Sequence, residues 1–164
     1  MKSKKLVALL TAVVLSTSLL VACGEKKEEK KEDKPAATST LKDGTYKAEY
    51  DKADERGWKA FVELKVADGK VSSSTFDYVN DKGEMKSKDA GYNKAMEDKT
   101  KTSPEKFSKT LPEELVKTQD VSKVATVTGA TASTNDFKAL ATKAMDSAKE
   151  GKTDVVKVPA PAKK

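Results

Sequence analysis

Thr128-Gly129-Ala130-Thr131-Ala132-Ser133-Thr134-Asn135-Asp136 is the stretch on which the reading of this chain turns. A valine-containing run, 121–127, leads into it with imperfect β alternation, and an apolar helical stripe leads out of it. Thr128, Gly129, Ala130 and Thr131 carry hydroxyls and little bulk, so a large planar ligand can come close to the backbone there. Ser133 and Asp136 have the S-x-x-D spacing of a capping box, which predicts a helix starting near Ser133. A helix start offers unpaired N–H groups and a partial positive charge, a setting suited to a phosphate. The same residues also describe a Ser/Thr-rich turn that does nothing but cap a helix. The tetrapeptide by itself does not decide between the two.

Working outward, Phe137, Leu140, Ala141, Ala144, Met145 and Ala148 mark one face of the helix, and Gly151 closes it. Residues 152–164 read as a polar, proline-containing tail. Upstream, Asp43-Gly44 opens a turn into an alternating strand over 45–50, and Asp54-Glu55-Arg56-Gly57 makes the next turn. In 58–66, Trp58, Ala60, Val62, Leu64 and Val66 share one face while Lys59, Phe61, Glu63 and Lys65 share the other. Phe61 on the polar side therefore needs a cover. Asp68-Gly69 signals a hairpin into a third strand over 70–79.

Residues 92–100 read as a short helical turn, and Ser103-Pro104 as an N-cap with proline at the first helical position. Phe107, Leu111, Leu115 and Val116 keep helical spacing, but Pro112 predicts two short helices in place of one. With 121–127 as a last strand, the expectation is an α+β domain over 41–151. It would be a small antiparallel sheet with helices packed on it.

Residues 1–22 do not belong to that domain. Lys2, Lys4 and Lys5 precede an apolar run that ends in Leu20-Val21-Ala22-Cys23, the form of a secretory signal peptide of the bacterial lipoprotein type. Cleavage before Cys23 would leave that residue to carry lipid, such as palmitate, and to hold the protein on the extracytoplasmic face of the cell membrane. Residues 24–40 hold Lys, Glu, Asp, Pro and small residues with nothing to bury, which predicts a disordered tether. Fully extended at roughly 3.3 Å per residue, it reaches about 55 Å from the membrane.

Cys23 is the only cysteine and there is no histidine. Intramolecular disulfides, thiol or imidazole metal sites and Ser-His or Cys-His nucleophile pairs are thereby excluded. Three of the 32 Lys/Arg lie in the leader, leaving 29 against 26 acids, and the two signs interleave. That is a solvated mixed surface, with no nucleic-acid footprint.

Taken together, the lipobox, the tether, Asp43-Gly44-Thr45-Tyr46, Asp68-Gly69-Lys70 and the full match of Thr128-Gly129-Ala130-Thr131 to [ST]-G-A-[ST] carry a resemblance. Residues 41–151 resemble the bacterial FMN-binding domain of the C subunit of sodium-pumping NADH:quinone oxidoreductase and the G subunit of Rnf. Within that family they are most like its Gram-positive surface flavolipoproteins. The resemblance implies FMN as cofactor, joined by a flavin transferase through a phosphodiester to Thr131, with Thr128, Gly129, Ala130 and Ser133 around the phosphate. Tyr92 and Trp58 are candidates to stack on the ring, Trp58 also being a candidate for the core.

The implied role is an electron carrier and not an enzyme with its own substrate, served by a redox partner protein or a quinone-linked donor. One departure stands out: where the family often has an acidic residue three places before the motif, this chain has Ala125. Non-covalent FMN therefore stays open, as does a surface lipoprotein that binds a ligand or partner without redox work. Release of a signalling peptide from the leader is a further reading that 15–22 do not distinguish.

Overall fold

Asp68 (φ 54°) and Gly69 (φ 71°) both take left-handed backbone, the two-residue hairpin turn whose twist matches its strands. In a computed structural model, which describes residues 40–162, this turn joins β2 (Lys59–Ala67) to β3 (Lys70–Val79). β1 (Gly44–Tyr50) pairs antiparallel with the other edge of β2, and β4 (Val156–Val158) pairs parallel with β1. The order is β3-β2-β1-β4. Three helices complete the domain: α1 (Ala90–Thr100), α2 (Pro104–Thr118) and α3 (Thr131–Glu150). The α+β class is as expected, while the sheet is mixed and not wholly antiparallel.

β4 comes from the segment read as a polar tail. Val156 and Val158 pack on the core, and the Asp51 N–H donates to the Val158 carbonyl at 2.8 Å. The Ala160 N–H then donates to the Asp51 carboxylate at 2.9 Å. The folded region thus runs past Gly151.

One face of the sheet is covered. Ala60, Val62, Leu64 and Val66 of β2 are all buried, with Phe107, Leu111 and Leu115 of α2 and Phe137, Leu140 and Ala144 of α3 against that face. Phe76 joins the layers, its ring centroid 5.3 Å from Phe137 and 6.2 Å from Phe107. On the other face Phe61 is covered as its position required, with the Lys47 ammonium 5.0 Å from its ring centroid.

Beside it the Glu49 carboxylate meets Lys47 at 3.1 Å, Lys59 at 2.8 Å and Lys157. Burial alone would raise the Glu49 pKa, but the three ammonium groups outweigh it and hold the carboxyl at about 2. A depressed carboxylate stabilises the fold above its unfolded pKa and loses that contribution as pH falls through the folded one. Glu49→Gln is therefore expected to cost on the order of 1 kcal/mol near neutral pH, the lysines being part-exposed. Urea titrations should show the difference from wild type shrinking from about pH 4.5 down to about pH 2.

Several local expectations are corrected. α2 is one helix, with Pro112 inside it. Its ring nitrogen cannot bond the Ser108 carbonyl, yet Pro112 is buried beside Leu111 and Leu115, and packing against β3 carries the helix through. Residues 121–127 form no strand. Val121–Lys123 is a 3-10 turn, started by the Asp120 carboxylate accepting the Ser122 N–H, and only Val124 is fully buried. The helical turn expected at 92–100 is an eleven-residue helix capped by Asp89, which accepts the Tyr92 N–H. The leader, Cys23 and nearly all of the tether lie outside the described residues.

Candidate functional site around the start of α3

The Thr128–Thr131 motif is a turn followed at once by a helix. The Ala130 N–H donates to the Val127 carbonyl at 2.9 Å, with Gly129 third in the turn at φ 80°. α3 begins at Thr131, two residues before the predicted start, with Ala130 as N-cap. The capping box does not form. Ser133 already lies inside the helix, and its partner in the motif, Asp136, is engaged elsewhere. Thr134 does the work at this corner instead. Fully buried, it donates to the Ala130 carbonyl at 3.0 Å and accepts the Val127 N–H at 3.1 Å. No sequence signal set Thr134 apart from the threonines beside it.

Four features of this helix start suit an anion. N-cap Ala130 offers no side-chain acceptor, and the first turn contains no acidic residue. Among the described residues, the N–H groups of Thr131, Ala132 and Ser133 have no acceptor, and the exposed Thr131 hydroxyl has no partner. Donors in that position favour a phosphate by ~0.3–1 kcal/mol. At the place of the missing acidic residue, the Ala125 N–H donates to the carboxylate of Glu114, from α2, at 2.8 Å.

Five residues along α3 from Thr131 (about 7.5 Å of rise), Asp136 binds two tyrosines. The Tyr50 hydroxyl donates to one carboxylate oxygen at 2.7 Å and the Tyr78 hydroxyl to the other at 2.8 Å. Burial first, and then the Asp136 charge, push both phenols well above their usual range, so both stay protonated. Ser133, on the same helix face as Asp136, sets its hydroxyl beside that of Tyr78. Asp136 and the two phenols form the polar end of a cavity of about 360 Å³, walled by Trp58, Ala60 and the rings of Tyr50 and Tyr78, with Ala160 and Pro161 at its side. A larger hollow of about 520 Å³ around Asn93 and Glu97 is open and lined mainly by charged and amide side chains.

Trp58 stands just before β2, half-buried, and is at once core neighbour and cavity wall. Tyr92 is not among the cavity's lining residues. It is linked to Trp58 and Tyr78 through Lys86, a buried lysine whose ammonium lies 4.5, 5.7 and 4.7 Å from the three ring centroids respectively. The Tyr92 hydroxyl also accepts from Arg56 at 3.2 Å. The structure therefore places Thr128, Gly129, Ala130, Thr131 and Ser133 at one helix start, and Tyr92 apart from them.

With this geometry in place, relatives can be compared. The chain is 35% identical over 118 residues to the 15 kDa lipoprotein of Treponema pallidum (strain Nichols), covering 72% of this chain and 84% of that protein. The chain belongs to the family of that lipoprotein. No family model matches it. The crystal structure of the CPE2226 protein from Clostridium perfringens is similar to it, at a TM-score of 0.71 and 37% identity over 74% of this chain and 99% of that one. Membership of this lipoprotein family agrees with the lipid attachment read at Cys23. Among the described residues, no helix is long and apolar enough to cross a membrane.

Proposed function

We propose that this lipoprotein is a lipid-anchored, extracytoplasmic flavoprotein that binds FMN and relays electrons. The observation that carries the reading is Thr131. Its exposed hydroxyl, without a partner among the described residues, stands in Thr-Gly-Ala-Thr at the first position of a helix whose leading N–H groups are open. Thr131 would carry the phosphate in ester linkage made by a flavin transferase, and the N–H groups of 131–133 would hold its charge. Trp58, Tyr50 and Tyr78 would bound the ring and keep water from its faces. When bound, the flavin itself supplies the one- or two-electron chemistry, and the protein supplies position. Electrons would come from a redox partner or a quinone-linked donor at the membrane.

The test is the full chain made together with a flavin transferase. A yellow protein whose colour and FMN mass survive denaturation supports covalent attachment. Colour that washes out on denaturation supports a non-covalent carrier. A colourless protein, while a known substrate of the same transferase is modified, hands the case to a lipoprotein that binds another ligand in the Trp58 cavity. That alternative has its own support, because none of the residues from Thr128 to Thr131 lines the cavity.

Placement is tested separately. Cys23→Ala should move most of the protein from the membrane fraction to the soluble one, or leave it unprocessed, as read by fractionation and gel migration. Unchanged fractionation and migration would overturn the lipid anchor.

A further inference from the structure

The tyrosine pair on Asp136 has a consequence for what the cavity can bind. An ionised carboxylate only accepts hydrogen bonds, and both of its oxygens are already taken by phenol protons. Each phenol has one proton, and in each case it points at Asp136. The oxygens of Tyr50 and Tyr78 can therefore face a ligand only through lone pairs. At Tyr78 the Ser133 hydroxyl stands beside that lone pair, which leaves the Tyr50 oxygen as the more open of the two. Among the described residues, the only cationic side chain in the lining, Lys52, is exposed, so water competes for its protons. Trp58 and the two tyrosine rings wall the cavity, Asp54 and Glu55 also line it, and its end is an array of acceptors.

We infer that the Tyr50–Asp136–Tyr78 array reads an N–H donor edge on a planar aromatic ligand, and that Asp136 acts as a positioning residue by fixing the direction of both phenol protons. For the flavin reading, on which this rests, the edge is the imide N3–H of the ring. A ligand of the same shape with that hydrogen replaced loses a hydrogen bond and leaves buried acceptors unpaired, which sets the discrimination at about tenfold.

The experiment uses the full chain in detergent with lumiflavin and 3-methyllumiflavin as probes. These differ only at the imide nitrogen and lack the phosphate. Binding is followed by quenching of flavin emission and of Trp58, the one tryptophan in the chain. Lumiflavin should bind about tenfold more tightly than its 3-methyl form. Asp136→Asn supplies the control. One oxygen still accepts a phenol proton, but the amide now donates to the other tyrosine, whose own proton turns toward the ligand.

The preference should then fall to about twofold or less, whereas a purely steric cost of the methyl group would persist in the variant. Tyr50→Phe, which keeps the ring and removes the more open acceptor, should lower the preference in the same direction. Equal affinities in wild type, or a preference unchanged in Asp136→Asn, overturn the inference. Binding of FMN without any binding of lumiflavin also overturns it but leaves the flavin reading standing. Binding of neither overturns the inference, and the flavin reading is then decided by attachment in the presence of the transferase.

Discussion

Thr131→Ala is expected to abolish covalent flavin while leaving the domain folded. Co-expressed with a flavin transferase, the variant should show no FMN mass after denaturation, against a substantial modified fraction in wild type. Its stability in urea should stay within about 0.5 kcal/mol of wild type, since the side chain is exposed and its hydroxyl bonds nothing among the described residues. Loss of one acceptor oxygen is thus a near-total effect on attachment and a negligible one on stability. Thr128→Ala should reduce attachment in part, because Thr128 is exposed in the turn but does not start the helix. Ala125→Asp, which adds a carboxylate three places before the motif, should raise the modified fraction. Flavin that remains covalently bound in Thr131→Ala would move the linkage to another residue and overturn the assignment.

How far the chain declared itself depends on whether the deciding contacts are local. The Asp68-Gly69 hairpin and the alternating face of β2 are short-range patterns, and both stand in the structure. The valines of 121–127 imitate a strand, yet the sheet edge beside β1 is filled by β4 from beyond Gly151. Three residues, Val156–Val158, set between Val155 and Pro159, give too little periodicity to announce that pairing. Pro112 misleads for a similar reason: its local cost is real, and burial against β3 outweighs it.

At the site, the motif and its helix were legible as a unit, while the cavity was not. Asp136 has capping-box spacing from Ser133, but its partners are Tyr50 and Tyr78, 86 and 58 residues away. The readable clue was that both tyrosines sit at or next to the last residue of a strand, where two strand ends can meet one helix. Tyr92, beside Gly91 in a polar stretch, looked available for stacking. Its ring faces the ammonium of Lys86, which no pattern in the chain marks as buried.

Gly129→Val is the harsher change, and it separates what the turn does for the fold from what it would do for a phosphate. Gly129 has φ 80°, where a β-branched residue is strained by about 1–3 kcal/mol. A Cβ there would also lie 2.6 Å from the Thr100 carbonyl oxygen and 2.9 Å from the Thr100 Cβ, at the last residue of α1. The obstacle is backbone, so α1 or the start of α3 must shift. Together these predict a loss of about 3 kcal/mol or more, a large share of the stability of a domain this size.

Gly129→Ala should lose less but still meet the same carbonyl. Urea unfolding should place the order as wild type, then Gly129→Ala, then Gly129→Val, and amide exchange should quicken first in α1. Attachment of flavin should fall in both variants because the turn no longer presents Thr131, in contrast to Thr131→Ala, where attachment fails on an intact fold. If Gly129→Val kept the urea midpoint of wild type and lost only flavin, the glycine would be there for clearance at the phosphate and not for the contact with Thr100.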